Sequence, residues 1–453
     1  MPLYQIKRIT SAISLLFSLS LLIPTAQAQQ TSGFLRNYNA FLTTNGQDYL
    51  VGRNRLGFDL SYETSYGTLF LSNEILNTYT TNANNYAYDF SEGYIDMYFS
   101  KSDLRVGKQV INQGRTDGAF ITDIHSPIDL SEFLTQQVED IKGGIPAVKY
   151  TRYYGNNFLE VIATPIFQSD MIARPESRWF PFKELDRNTN VVYADSSMDD
   201  TKALFQSSIK WGLRSSLKWD LDIYAMWWAN SSPAYEKEFT LVGEPVATQP
   251  GFIVTKSYKR IPILAYSGNY VISDSWLLKS ESAFHFEKQF DYFPEQFSEG
   301  DPSTLPPAEQ QALFVELSSN DDGYLMDKPW SISMIGLQTS IAGITVSSQL
   351  FWEHIYGYDE DILQKQDFVY STLLLQKSLL REKLTLYSFG RYNYSGNDFW
   401  INPRASYAIQ DGLDATFGFH LFGGEETERL YGHFSFKDYA ANSFTYLKLT
   451  AYF

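Results

Sequence analysis

Asn442-Ser443-Phe444-Thr445-Tyr446-Leu447-Lys448-Leu449-Thr450-Ala451-Tyr452-Phe453 is the stretch from which the fold is read. Side chains alternate along a strand, so Thr445, Leu447, Leu449, Ala451 and Phe453 share one face, nearly all apolar. Phe444, Tyr446, Lys448, Thr450 and Tyr452 share the other. A strand greasy on one side and mixed on the other, ending on an aromatic residue, suits the closing strand of a membrane barrel, where no edge is left unpaired in lipid. The competing assignment is an edge strand of a soluble all-β protein.

The other end of the sequence favours the membrane. Lys7 and Arg8 precede an apolar segment from Ile13 to Ile23, followed by Ala26-Gln27-Ala28. This order is that of a secretory signal peptide, residues 1–28, cut near Ala28, with an apolar core too short to span a bilayer. The chain contains no cysteine, so disulfides, thiolate metal sites and lipid anchoring through cysteine are excluded. Beyond the leader no run approaches the ~20 apolar residues of a transmembrane helix, yet aromatics make up 16% and charged residues only 19%. Such a balance fits strands with interface girdles. Without Lys7 and Arg8, 34 of the 36 basic residues face 52 acidic ones, a net charge of −18 that argues against nucleic acid as a partner.

Strand signals recur at 33–43, 49–63, 66–79, 87–100, 103–111, 144–154, 157–167, 201–215 and 218–229. They continue at 257–272, 275–289, 330–341, 343–355, 367–380, 383–395, 398–409, 413–423 and 443–453. In the second, Leu56, Phe58, Leu60 and Tyr62 form the row assigned to lipid, opposite Arg53, Arg55, Asp59, Ser61 and Glu63. Tight turns at Thr64-Ser65, Lys101-Ser102, Asn156, Asp274, Ala342 and Gln410-Asp411-Gly412 alternate with long connections at 112–143, 168–200, 230–256, 290–329 and 424–442. The turns belong to the periplasmic end and the long loops to the cell exterior. With both chain ends in the periplasm the count is even, which places the strand-like Tyr431–Lys437 stretch in the last outer loop. The expectation is one domain, residues 29–453, forming an all-β transmembrane antiparallel barrel of eighteen strands, with sixteen as the alternative. Its location is the outer membrane of a Gram-negative cell, its surroundings lipid and lipopolysaccharide.

Residues Leu104-Arg105-Val106-Gly107-Lys108-Gln109, then Gln113-Gly114, Asp123 and Pro127-Ile128-Asp129, resemble the signature of the alginate-export family and related porin-like barrels. That signature runs Leu-Arg-x-Gly-Arg-Gln, Trp-Gly, Asp, Pro-x-Asp; here Lys108 replaces the Arg and Gln113 the Trp. The resemblance covers residues 104–130 and, less closely, the terminal strand. It implies an eighteen-stranded monomer that passes a hydrophilic or polyanionic solute and depends on periplasmic chaperones and the barrel-insertion machinery.

The same connection can be read physically. Ser131 to Gly144 combines a cap, apolar residues near helical spacing and terminal glycines, the pattern of a short helix. An eighteen-stranded barrel is too wide for strand side chains to fill, so this segment is expected to enter the lumen, with Asp123, His125, Asp129 and Glu132 at a constriction. The alternative is a loop packed over the rim. Rows opposite lipid carry Arg53, Arg55, Arg105, Arg391, Asp96 and Glu281, candidates for pore-lining and selectivity, since fixed positive charge in a narrow channel raises the local anion concentration. Mutual pairing without selectivity is the competing view. Trp227-Trp228, Trp352 and Trp400 read as interface girdles, or as a track for sugar rings. Acidic runs such as Asp195–Asp200, Asp291–Asp301 and Asp359–Asp361 are solvated surface, or sites for cations that bridge to lipopolysaccharide. Five histidines and no recognisable catalytic motif argue against an enzyme, and no cofactor is implied. The sequence therefore indicates a porin-like channel for passive diffusion of small hydrophilic solutes, anionic or saccharide ones included. A non-transporting adhesion barrel and a barrel-embedded lipid hydrolase are the other classes.

Overall fold

The computed structural model describes residues 29–44, 48–81, 83–133, 135–180, 190–193, 201–215, 218–242, 249–292, 306–319, 322–425 and 435–453. The signal peptide, His433 and the acidic run at 195–200 lie outside them, as does most of Asp291–Asp301. Eighteen antiparallel strands close into one barrel. The first nine are β1 (Gln29–Leu42), β2 (Tyr49–Thr64), β3 (Gly67–Tyr79), β4 (Asn84–Phe99), β5 (Ser102–Gln109), β6 (Ile145–Tyr154), β7 (Asn157–Gln168), β8 (Thr201–Arg214) and β9 (Trp219–Ala229). The remainder are β10 (Arg260–Ser273), β11 (Trp276–Asp291), β12 (Leu325–Ile341), β13 (Ile344–Ile355), β14 (Asp367–Leu379), β15 (Leu384–Asn393), β16 (Asp398–Gln410), β17 (Leu413–Gly424) and β18 (Phe444–Tyr452).

Each strand pairs with its sequence neighbours, and β18 returns to β1 in a register running from Phe34 opposite Tyr452 to Leu42 opposite Phe444. Beyond the last residue pair of β18, Gly33 N donates to Phe453 O at 2.8 Å and Phe453 N to Gly33 O at 3.0 Å, so this edge is sealed. The alternation expected of the terminal strand holds: Leu447 and Leu449 point outward and are 46% and 40% exposed, while Phe444 and Tyr446 point inward and are buried. Leu56 and Phe58 are likewise outward. Tight turns occupy one end of the barrel. At one of them Ala342 and Gly343 take φ of 51° and 73°, a left-handed pair whose twist matches the strands it joins.

Several boundaries shift. β4 starts at Asn84 and β12 at Leu325, earlier than the sequence pattern suggests, because these strands continue beyond the membrane into the loop end. Parts of two connections expected to be irregular form a small sheet from Asn190–Tyr193, Gln249–Ser257 and Ala234–Val242, tied to the barrel by Lys237 and Asp291 at 2.8 Å. Ser257 therefore belongs to this sheet and not to β10. The expected helix in 131–144 shrinks to one turn, Val138–Ile141, since Phe133 is left-handed at φ 57° and interrupts any earlier start. In the last loop the described residues of Tyr431–Lys437 are not a strand; Phe436–Asn442 forms a 3₁₀ helix.

The girdle assignment of the tryptophans divides. Trp227 and Trp352 are outward and half-exposed, but Trp228 and Trp400 are buried inside the barrel. Consecutive residues on a strand cannot both face lipid, so Trp228 had to point inward once Trp227 pointed out.

Candidate solute pathway

Residues 110–144 leave β5 and fold into the barrel, and their polar groups reach nearly every side of the wall. Arg115 N and Thr122 N both donate to the carboxylate of Glu281 on β11, at 2.6 and 2.8 Å, and Thr122 Oγ1 adds a third bond at 2.7 Å. Asp117 N donates to Gln349 Oε1 on β13 at 2.8 Å, while Asp117 Oδ2 accepts from Ser347 and Gln349 at 2.6 and 2.9 Å. Gln113 bridges Glu160 on β7 and Lys210 on β8 at 2.9 and 2.8 Å. At the far side, Asp140 accepts from Arg36 on β1 at 2.6 Å and pairs with Arg55 on β2 at 2.7 Å. Gln137, three residues earlier, accepts from Lys448 on β18 at 2.9 Å. The helical turn and the residue before it thus touch both strands of the closing seam.

The residues proposed for the constriction are all in this segment, with different surroundings. Glu132 pairs with Arg53 on β2. Asp123 pairs with Lys142 and accepts from Gln113 N at 3.0 Å; burial pushes its carboxyl up while Lys142 opposes the shift. Asp129 accepts from Ser131 N at 2.9 Å and lies in a short parallel pairing with Met171. His125 is buried against Trp228, ring centroids 4.6 Å apart, with Nε2 2.8 Å from Ser208 Oγ. Burial lowers its pKa to about 3, so the ring is neutral. This Ser–His contact does not form a hydrolase triad: Nδ1 has no hydrogen-bond partner among the described residues, and both side chains are sealed from solvent. Among the described residues no group of three or more His, Asp or Glu is placed to ligate a metal.

The expected selectivity residues all face inward, in two different situations. Arg53 and Arg55 are neutralised by Glu132 and Asp140, with Glu74 a further 3.4 Å from Arg55. Arg105 holds Asp96 through two bonds of 2.7 and 2.8 Å and lies 3.8 Å from the Tyr94 ring. Glu281 is consumed in anchoring the lumenal segment. Arg391 differs: it lies 3.7 Å over the Tyr370 ring, bonds Asn393 at 2.9 Å, and has no carboxylate within ion-pair distance among the described residues. Arg404 is its counterpart nearer the turn end, 3.9 Å over Tyr387. Lys288, 3.5 Å over Trp330, is brought to the lumen by a bulge between His285 and Lys288 that re-aims the strand. Arg36, Arg404, Lys448 and Asp140 were not singled out from sequence; the inward row of β1, Arg36-x-Tyr38-x-Ala40, carries the signal for the first.

Among the cavities along the interior, one of about 300 Å³ near the turn end is lined by Asp96, Arg105, Lys149, Glu160 and Lys210, and two others adjoin the lumenal segment. The outer, about 440 Å³, is lined by Lys259, His285, Lys288, Trp330, Tyr370 and Arg391, among others. The inner, about 310 Å³, has Arg36, Arg53, Arg404 and Lys448 beside an aromatic wall that includes Trp400 and Tyr446. Gly118, Ala119, Phe120 and Asp123 line both.

No protein-family model matches the sequence, and no curated protein does. Among solved structures, OccAB3 of Acinetobacter baumannii superposes with a TM-score of 0.49 at 10% identity, covering 94% of this chain and 99% of that one. The outer membrane protein OpdK of Pseudomonas aeruginosa gives 0.47 at 9% identity, with 95% and 100% covered, and OpdQ of the same organism 0.47 at 9%, with 94% and 99%. Likeness at this level carries no weight for the solute.

Proposed function

We propose that this barrel is an outer-membrane channel for passive diffusion of small hydrophilic solutes, with a preference for anions. The observation that carries this is the pair of cavities that meet at a lumenal segment, with Arg391 and Arg404 on their walls and no carboxylate within ion-pair distance of either among the described residues. Arg391 and Arg404 stand on tyrosine faces along one wall, and a stacked guanidinium keeps its edge N–H groups for a passing oxyanion. Residues 110–144 narrow the route by filling the barrel interior, which strand side chains alone leave wide. The likeness of residues 104–130 to the alginate-export signature agrees with a polyanion or acidic saccharide, and the aromatic wall at Trp400 and Tyr446 would stack on sugar rings. Export through a signal peptide of residues 1–28, monomeric insertion by the barrel-insertion machinery and lipopolysaccharide around the loop end belong to the same proposal. Planar-bilayer recording on refolded protein tests it: discrete channels with anion-directed reversal potentials are expected, and a barrel that never conducts, even with residues 118–142 deleted, overturns it.

A further inference from the structure

We infer that Phe389 is the size-selecting residue of the pathway, its ring closing against Gly118 to form an apolar gate between the outer and inner cavities. The inference rests on the channel function proposed above. Residues 115–122 form a projecting bar whose two feet stand on one carboxylate, because Arg115 N and Thr122 N both donate to Glu281. Asp117 is pinned to Ser347 and Gln349, and Thr116 Oγ1 closes the bend onto Ala119 O at 2.6 Å. The tip is Gly118, at φ +80°, a left-handed conformation that disfavours any side chain. A Cβ built there would stand 2.2 Å from Phe389 Cζ, so the bar meets the β15 wall with no room to spare. Phe389 is buried, backed edge-on by Trp400 with ring centroids 5.3 Å apart.

The bar is fixed by several hydrogen bonds, whereas Phe389 is held by packing alone. A rotamer change of that ring is therefore the smallest movement that parts the two surfaces. Gly118, Ala119, Phe120 and the Lys142-paired Asp123 line both cavities, so a solute crossing from one to the other passes the bar. The meeting surfaces offer no side-chain hydrogen-bond donors, and apolar constrictions of this kind exclude water and ions until widened. Polar groups begin immediately on either side, at Arg391 outward and at Arg404 inward.

The test compares wild type, Phe389→Ala, Phe389→Leu and Gly118→Ala by single-channel conductance and by liposome swelling with neutral solutes of graded size. Phe389→Ala should raise conductance several-fold and admit larger solutes, Phe389→Leu should do so to a smaller degree, and Gly118→Ala should lower both. Phe389→Leu retains most of the packing and serves if the alanine variant fails to fold. Wild type conducting with all folded variants unchanged overturns the gate and leaves the channel function standing. A silent wild type with a conducting Phe389→Ala supports the gate and makes it closed at rest. Silence in every variant and in the 118–142 deletion overturns both.

Discussion

Two stretches of the barrel wall separated only by β17 and β18 use arginine in opposite ways. On β1 and β2, Arg36, Arg53 and Arg55 are covered by Asp140 and Glu132, acids carried in by the lumenal segment. On β15 and β16, Arg391 and Arg404 rest on tyrosine rings with no carboxylate in direct ion pairing among the described residues; Asp398 reaches Arg391 only through Asn393. The first arrangement satisfies charge inside the protein and positions a loop; the second leaves charge for whatever enters. Counting arginines on inward rows would have treated the two walls alike.

The sharpest way to break this comparison is to strip the acid from the first wall. Asp140→Asn leaves Arg36 and Arg55 without their main partner, and orphaning cations in a largely buried pair costs about 3 kcal/mol. A lower urea midpoint and noisier single-channel currents are expected as the helical turn loosens; an unchanged midpoint would mean that the pairs do not hold the segment. A second effect involves neither wall. His125, packed against Trp228 with Glu160, Lys210 and Lys142 nearby, has a folded-state pKa of about 3, below the unfolded value near 6.5. Between these values the unfolded chain binds more protons, so stability falls as pH drops through that window, by about 2 kcal/mol at pH 5. His125→Asn should flatten the pH dependence of the unfolding midpoint in that window.

Smaller in stability, but telling for function, are substitutions on the second wall. Arg391→Gln with Arg404→Gln should cost about 1 kcal/mol, the scale of cation–π contacts, while moving the reversal potential under a salt gradient away from anion preference. Arg105→Gln combined with Asp96→Asn, by contrast, removes a pair that is already neutral and should shift the reversal potential least. If the Arg105/Asp96 double variant changes selectivity more than the Arg391/Arg404 pair does, the distinction between covered and available cations is wrong.

Much of the barrel is legible in sequence because its determinants are local. Period-two rows such as Leu56, Phe58, Leu60 and Tyr62, and turn residues such as Asn156 and Ala342, fix strand, face and phase within a dozen residues. All eighteen strands follow from that rhythm, and the described part of 431–437, residues 435–437, lies outside the wall. The site is less legible because its contacts are not local. Arg36 meets Asp140 across a separation of 104 residues, and no pattern near either residue announces the other. The rows identify Arg53, Arg55, Arg105 and Arg391 as inward, but which of them is neutralised depends on a segment whose path the rows do not describe. Trp228 and Trp400 were misassigned for a related reason: aromatic enrichment marks girdles and lumen alike, and only strict alternation separates them.

The helical turn at Val138–Ile141 and the residue before it have a consequence for how the barrel forms. β1 and β18 are the most distant strands in sequence, so their pairing carries the largest loop-closure entropy and is expected to come late in folding. Gln137 takes hold of Lys448 on one side of that seam, and Asp140 takes hold of Arg36 on the other. A segment that must already be inside when the ring shuts thereby becomes the clasp across the join. Opening the seam requires breaking the clasp as well as the strand pairing, which slows unfolding more than refolding if the clasp engages after the rate-limiting step. One connection, residues 110–144, then both narrows the passage and helps to keep the cylinder shut.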